Sequence, residues 1–501
     1  MTNQAIYDLD YNGRHIDTGK WPSGNISVSP RVGFQWDVFG NKSLKLRGGT
    51  GLFSGRIPLV FFTNMPTNSG MIQYQAQIGP STSYNRLPDA VKSNYASVGD
   101  VLAEFRGGLA TDGNGKATVA ALQNKLAAMG YPMTVSPQDG TVPSSISAVD
   151  PDFKMPQDWK TSLALDYSLP VSFPLTISAE AILNKTVNTS TISDWSMMDA
   201  EGFARWNGAD ARPIYPSDFR TSTKAFVLEN THKGYGWTAS LSMNARPWDF
   251  LSIMAAYTWS AKKELTSMPG SAAESAFTYV PTVNGPNNIK LHNAINLTPH
   301  RFIASVTGHD RSNNHYSLIY ETWNGGYNYS YMLANDMNGD GYNYDALYIP
   351  TDSEVENGQF RFATADDKTR FMDYVHGDSY LKKHQGEYAE AYSVYNPWVH
   401  RIDISYKHDF KLKVRNSMNT LQLGFDMKNL MNLFNSSWGV SKYMNSKLNS
   451  GRILKYEGTD AQGYPVFSTP SVVNKNTKTW ADNIAIGQCW YMSIGVKYMF
   501  N

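Results

Sequence analysis

Cysteine is almost absent: Cys489 is the one copy in 501 residues. An intrachain disulfide is therefore impossible, and a cysteine-based zinc cluster is excluded. No run of about eighteen apolar residues occurs, so no transmembrane helix is expected. Charge of one sign is also missing. The 44 Lys and Arg against 43 Asp and Glu leave a net charge of +1, which gives no support for a nucleic-acid partner. The N-terminus, residues 1–10, has neither the basic region nor the apolar stretch of a signal peptide. No phosphate loop and no Gly-Xaa-Ser-Xaa-Gly elbow is present, and the ten His are scattered without a zinc-hydrolase spacing. No catalytic constellation emerges, and the chain is not expected to be an enzyme.

What the chain does have is alternation. In its last residues Trp490, Met492, Ile494, Val496, Tyr498 and Phe500 interleave with Cys489, Tyr491, Ser493, Gly495, Lys497 and Met499. A period of two is the strand period, and it sorts an apolar face from a small or polar one. The pattern recurs upstream in pairs: Ser29–Val38 with Ser43–Ser54, Trp159–Ser168 with Leu175–Lys185, and Tyr235–Asn244 with Leu251–Ala261. Two further pairs are His300–His309 with His315–Trp323 and Trp398–Lys407 with Thr420–Asn429. With the terminal strand, about eleven long strands are expected. Two loop segments read as helical, Thr118–Met129 and Asp366–Tyr380, from the spacing of their apolar residues.

Short turns join the members of each pair. Long segments, roughly 55–157, 186–234, 262–299, 324–397 and 430–487, separate the pairs. Connections of that length are rare in compact soluble domains, whereas short turns on one rim and long loops on the other characterise transmembrane barrels. The charges agree. Arg31, Asp37, Lys45, Arg47, Asp166, Glu180, Arg401, Asp403, Asp426, Lys428 and Lys497 nearly all share the small-residue face. A charge facing lipid at mid-bilayer costs on the order of 2–4 kcal/mol, so that face should line a lumen. The mean hydropathy of −0.41 does not conflict, because half of each strand and all the loops of a barrel are polar. Aromatic residues make up 13% of the chain, including 30 Tyr and 13 Trp, and such rings favour interfaces between dry and wet surroundings. The competing architecture is a soluble β-sandwich or propeller with its polar face in water.

Several motifs carry a more specific likeness. Ser29-Pro30-Arg31-Val32-Gly33-Phe34-Gln35-Trp36-Asp37-Val38 is followed by a run from Leu46 to Pro58 containing Arg47-Gly48-Gly49-Thr50-Gly51. Phe371-Met372-Asp373-Tyr374, Tyr380-Leu381, His384-Gln385-Gly386-Glu387-Tyr388-Ala389-Glu390 and Pro397-Trp398-Val399-His400-Arg401-Ile402-Asp403 form a loop-to-strand block. Lys428-Asn429-Leu430-Met431-Asn432-Leu433-Phe434-Asn435 precedes the last long loop. Together these resemble TonB-dependent outer-membrane receptors, in the branch whose members usually carry a carboxypeptidase-regulatory-like domain. Gln385 stands where that branch suggests Arg, and Ala391-Tyr392 where it suggests Arg-Asn, which puts a local ion-pair network in doubt.

The resemblance implies an all-β, antiparallel transmembrane β-barrel with long extracellular loops in the cell outer membrane. This chain would supply the C-terminal portion, about half of a 22-strand barrel, over residues 1–501. Plug domain, TonB box and signal peptide would lie outside it. The implied partners are outer-membrane lipid, the TonB complex reached through the missing N-terminal part, and a bulky nutrient such as a glycan, peptide or chelate. A passive porin-like or adhesin barrel and a secreted glycan-binding β protein are the alternatives.

One metal site is suggested. Asp336-Met337-Asn338-Gly339-Asp340-Gly341 reproduces the start of a calcium loop, in which alternating oxygens converge on a hard cation. Asp345 would add a late ligand, since Leu347 occupies the place of the usual bidentate Glu. The set is therefore Asp336, Asn338, Asp340 and Asp345, with Ca2+ as the expected cofactor. An ion-free turn rich in Asx and Gly fits the same residues. The loop run Tyr320, Trp323, Tyr327, Tyr329 and Tyr331 suits stacking on sugars or peptides, and equally girdle and loop packing. Gly48-Gly49-Thr50-Gly51 lies inside a strand and reads as close packing against a neighbour such as a plug, not as a nucleotide cradle.

Overall fold

A computed structural model describes the chain except residues 1, 25, 72–83, 85–86, 132, 134–141, 221–222, 267, 269, 415–416 and 501. Eleven long strands form one antiparallel meander. They are β1 (Arg31–Asp37), β2 (Leu44–Ser54), β3 (Gln157–Ser168), β4 (Leu175–Asp194), β5 (Tyr235–Trp248) and β6 (Leu251–Glu264), then β7 (His300–His309), β8 (Asn314–Trp323), β9 (Val399–Val414), β10 (Ser417–Lys428) and β11 (Tyr491–Met499). Each pairs with its neighbours in sequence order. Among the described residues no pairing joins β1 to β11, so the sheet is open with two free edges.

The register brings like with like. Lys45 faces Asp166, and Asp166 faces Ser178. Ser405 faces Asp426, and Gln422 faces Lys497. Following the pairs across the sheet, the eleven charged residues singled out above all fall on one face. A slip of one residue in any strand would turn its charges to the other side.

That other side is apolar and uncovered. Phe34, Leu163, Leu183, Leu241, Leu318 and Ile494 are each between 43% and 76% exposed. A soluble sandwich would have enclosed them. Trp159, Tyr235, Trp259 and Trp398 lie toward one end of this face, and Tyr167, Trp248, Phe250, Tyr316, Tyr406 and Tyr498 toward the other; all are exposed. Leu251 to Trp259 spans about 27 Å along the strand, or roughly 20 Å along a membrane normal at a tilt of ~40°. Two aromatic belts with an apolar band of that height between them suit a bilayer core. The polar edges within the belt are paired: Tyr257 Oη shares a hydrogen bond with His300 Nδ1 at 2.7 Å, and Tyr320 Oη with His400 Nδ1 at 2.8 Å.

Some strands exceed the lengths that alternation suggests. β4 continues past Lys185 to Asp194, where it pairs with Lys224–Thr231, itself parallel to Ser145–Val149. β9 and β10 run on to Val414 and back from Ser417, leaving only the undescribed 415–416 between them. The Gly48–Gly51 stretch packs against its own sheet. A Cβ on Gly48 would lie 2.9 Å from both the Phe34 ring and the Ser162 carbonyl, and one on Gly51 would lie 2.8 Å from the Arg31 side chain.

The described parts of the long connections are not loose loops. They gather on one rim into a folded cap with its own cores. The largest joins Tyr331, Leu333, Leu347, Ile349, Phe371, Val375, Leu381, Leu448, Ile453 and Phe467. A second joins Phe61, Met65, Ile192, Phe226, Leu228 and Phe277. The expected helices are present as α1 (Val119–Ala128) and α2 (Ala365–Gly377). The latter stops before Tyr380 because the Asp378 carboxylate accepts from Tyr380 N and Leu381 N, which caps a new helix over Ser379–Lys383.

Candidate functional site

The Asp336–Asp345 segment sits inside the cap. Asp336 is at its surface, and its carboxylate accepts from Gly339 N at 2.7 Å and Gly341 N at 2.8 Å. Asn338, Asp340 and Asp345 are buried. Asn338 Oδ1 accepts from Asp340 N at 2.9 Å, and Asn338 Nδ2 donates to Asp340 Oδ2 at 3.1 Å. Tyr342 N donates to Asp340 Oδ1 at 2.8 Å. The loop carries all four sequence-predicted residues, with the first three curled on their own backbone amides as Asx turns are, and among the described residues no group of three or more His, Cys, Asp or Glu is placed to hold a metal ion.

Asp345 has a partner that sequence reasoning missed. Arg212, fully buried, sets Nη1 3.0 Å from Asp345 Oδ1 and Nη2 2.8 Å from Asp210 Oδ2. Its Nη2 also donates to the Ala346 carbonyl at 2.7 Å. The other Asp345 oxygen accepts from Met337 N at 2.8 Å, so both its oxygens are engaged. Tyr388 Oη donates to Asp210 Oδ1 at 2.9 Å. No local spacing in the sequence announces Arg212, which lies 133 positions before Asp345; only the fold brings the two connections together.

Charge within this cluster does not balance. Arg212 pairs with Asp210 and Asp345, while Asp336 and Asp340 lie close enough to Asp345 for the carboxylates to act on one another. Burial, then the Asp345 and Asp336 carboxylates, push the Asp340 carboxyl up to about 7. Burial raises Asp345 to about 6 in spite of Arg212. Burial works against the Arg212 charge, and Asp210 and Asp345 outweigh it, so the guanidinium stays ionised.

The aromatic run is divided by the fold. Tyr320 lies in the apolar belt, and Trp323 faces the charged side with the Arg401 guanidinium 5.2 Å from its ring centre. Tyr327 is exposed on the cap, Tyr329 stacks edge-on between Tyr327 and Trp480, and Tyr331 is buried with its hydroxyl on Asp378 Oδ2 at 2.9 Å.

The charged face of the sheet is laced by ion pairs: Arg47 with Asp166 at 3.0 Å and Glu180 at 3.4 Å, and Lys428 with Asp403 at 2.9 Å. At the cap end the Asn-rich block ties three strands. Asn429, with φ at +52°, donates its backbone N–H to Asp403 Oδ1 and its side-chain amide to the carbonyls of Gly439 and Gln488. Asn432 Oδ1 accepts from Trp490 N at the head of β11. Where the sequence departs from the expected Arg and Arg-Asn, neutral bonds serve: Gln385 donates to Pro350 O and Tyr392 Oη to Tyr279 O.

An apolar strand face open to its surroundings, a charged face opposite and a cap on one rim define a membrane β-wall of the outer-membrane type. The family comparison agrees. A family described as "Outer membrane beta barrel domain" matches residues 3–462, and the chain belongs to it. Its location is therefore the cell outer membrane. Among solved structures it is similar to the outer membrane transporter YddB from Escherichia coli, at 10% identity and a TM-score of 0.38, covering 95% of this chain and 41% of that one. The chain thus spans less than half the length of that protein. No curated protein sequence matches.

Proposed function

We propose that this chain forms part of a TonB-dependent receptor that takes up a bulky nutrient (a glycan, peptide or chelate) with energy delivered through an N-terminal plug and TonB box. The observation that carries the reading is the eleven-strand wall with a free edge at β1 and another at β11. Unpaired backbone groups cannot face hydrocarbon, so further strands must close the ring, and eleven is half of the 22 that such receptors use. The charged face then lines a lumen wide enough for a plug. A passive barrel would instead close on fewer strands and conduct. The test has two arms: reading the DNA upstream for an in-frame or nearly in-frame plug domain, and recording the assembled protein in planar bilayers. Plug-coding sequence and a silent bilayer support the reading. A steady open conductance with no plug-coding sequence replaces it with a porin-like channel.

The acidic loop supports a second, narrower reading: Ca2+ bound by Asp336, Asn338 and Asp340, with Asp345 held beside it by Arg212. The specific observation is a surplus of buried carboxylate: Asp340 is buried with no ion-pair partner among the described residues, while Arg212 serves Asp210 and Asp345. A hard cation with oxygen ligands would relieve that surplus.

A further inference from the structure

Near the short-turn rim the apolar face carries a groove of about 570 Å³, whose walls include Leu251, Val306, Tyr316, Leu318 and Tyr406. It exists because of Gly308. In the register Gly308 lies between Leu251 on β6 and Tyr316 on β8, and it leaves one position of the outer face without a side chain. A Cβ there would sit 3.2 Å from the Phe250 carbonyl, so close strand approach favours glycine at the place where the gap opens. The groove opens outward: Val306, Tyr316 and Leu318 are 40–49% exposed. At its lower end His309 and Asp310 complete the lining, and Arg311 follows in the exposed turn.

We propose that this groove holds one acyl chain of a zwitterionic phospholipid of the inner leaflet, with the headgroup beside Asp310 and Arg311. The gap is one strand wide, so the flanking columns stand only about 10 Å apart. A helix of another protein, about 10–12 Å across with its side chains, is too broad to enter, whereas a polymethylene chain fits. The groove is continuous with the lipid-facing wall, so lipid reaches it without a separate path. The exposed Arg311 suits the headgroup phosphate, and Asp310, whose carboxylate oxygens already accept from Ser312 N, Asn314 N, Asn314 Nδ2 and Tyr316 Oη, complements the ammonium by its charge.

Native mass spectrometry of the protein extracted in mild detergent, titrated with phosphatidylethanolamine or phosphatidylglycerol, tests this. The expected result is one dominant phosphatidylethanolamine adduct. Val306→Trp, which fills the groove, should weaken it about tenfold, the effect of displacing roughly two methylene groups. Leu183→Trp, elsewhere on the same face, should leave it intact, and Arg311→Gln should reduce the preference for phosphatidylethanolamine. Equal adducts in Val306→Trp and the parent, or a ladder of lipids with no dominant first step, would mean annular lipid only and overturn the site. Equal binding of both lipids by the parent overturns the headgroup assignment.

Discussion

The wall and the cap are built on opposite rules. In the wall the apolar side chains are the exposed ones: Leu241 is 55% exposed and Val496 67%. In the cap they are enclosed, as in a soluble domain: Leu333, Leu347, Ile349 and Phe371 are at 0%. The wall places its charges along one face in pairs that keep access to water, such as Arg47 with Asp166. The cap sinks Arg212 between Asp210 and Asp345 with no access at all. One chain thus solves burial twice, because one part is solvated by hydrocarbon and the other by water.

The largest expected effect breaks the cap alone. Arg212→Met leaves two buried carboxylates without a counter-charge, which costs about 3–5 kcal/mol. Hydrogen exchange should show lost protection over segments 331–349 and 371–394, with β5 to β8 unchanged. Unaltered protection in those cap segments would show that the arginine is no clamp. The matching change in the wall is Leu241→Arg, expected to cost about 2–4 kcal/mol near mid-bilayer, against almost nothing for Ser240→Arg on the other face. Denaturant titrations of both variants in lipid vesicles decide it. If the two cost the same, hydrocarbon does not touch the Leu241 side.

A smaller effect sharpens the cap's electrostatics. The folded-state pKa values of Asp340 and Asp345, about 7 and about 6, lie above the ordinary carboxylate value. Between roughly pH 4 and 7 the native state therefore binds more protons than the unfolded state, and stability falls as pH rises. With chelator present the cap should be less stable at pH 8 than at pH 5, by on the order of 2 kcal/mol. Calcium needs ionised ligands, so it should stabilise most at pH 8. Asp340→Asn should remove the calcium response and the larger part of the pH step, leaving the share that Asp345 carries. A melting midpoint at pH 8 that ignores calcium leaves Arg212 as the loop's sole cation.

Legibility followed the same division. Alternation located all eleven wall strands, because the side-chain period of a strand is local and each wall strand has one apolar face. It stopped short at Lys185, since beyond that point β4 leaves the bilayer region and its far end answers to the cap core through Ile192. In the cap, the Asp336–Asp340 spacing was readable as an Asx-rich loop, but its counter-charge was not. Arg212 and Asp345 meet only after segments 186–234 and 324–397 have folded together. The Lys428–Asn435 block stood out as a motif, yet its role in tying β9, β10 and β11 through Asn429 and Asn432 needed coordinates.

The smallest effect compares one hydroxyl in each region. Thr364 caps α2: its Oγ1 accepts from Asp367 N at 3.1 Å and donates to Asp367 Oδ2 at 2.6 Å. Asp367 in turn accepts from Thr469 N at 2.8 Å, so the cap residue also steadies a contact 105 positions away. Thr364→Ala should cost about 1 kcal/mol, and Thr364→Ser should restore most of it. Thr161 lies on the apolar face of the wall and shares a 2.8 Å hydrogen bond with Thr50, whose Oγ1 also accepts from Trp159 Nε1 at 2.8 Å; because Thr50 keeps that second partner, Thr161→Ala should change stability by less than about 0.5 kcal/mol. Calorimetry of the three variants reads the difference. Equal losses at 364 and 161 would mean that the Trp159 bond does not stand in for the one removed, and the contrast between the two regions would then rest on apolar packing and the Arg212 cluster alone.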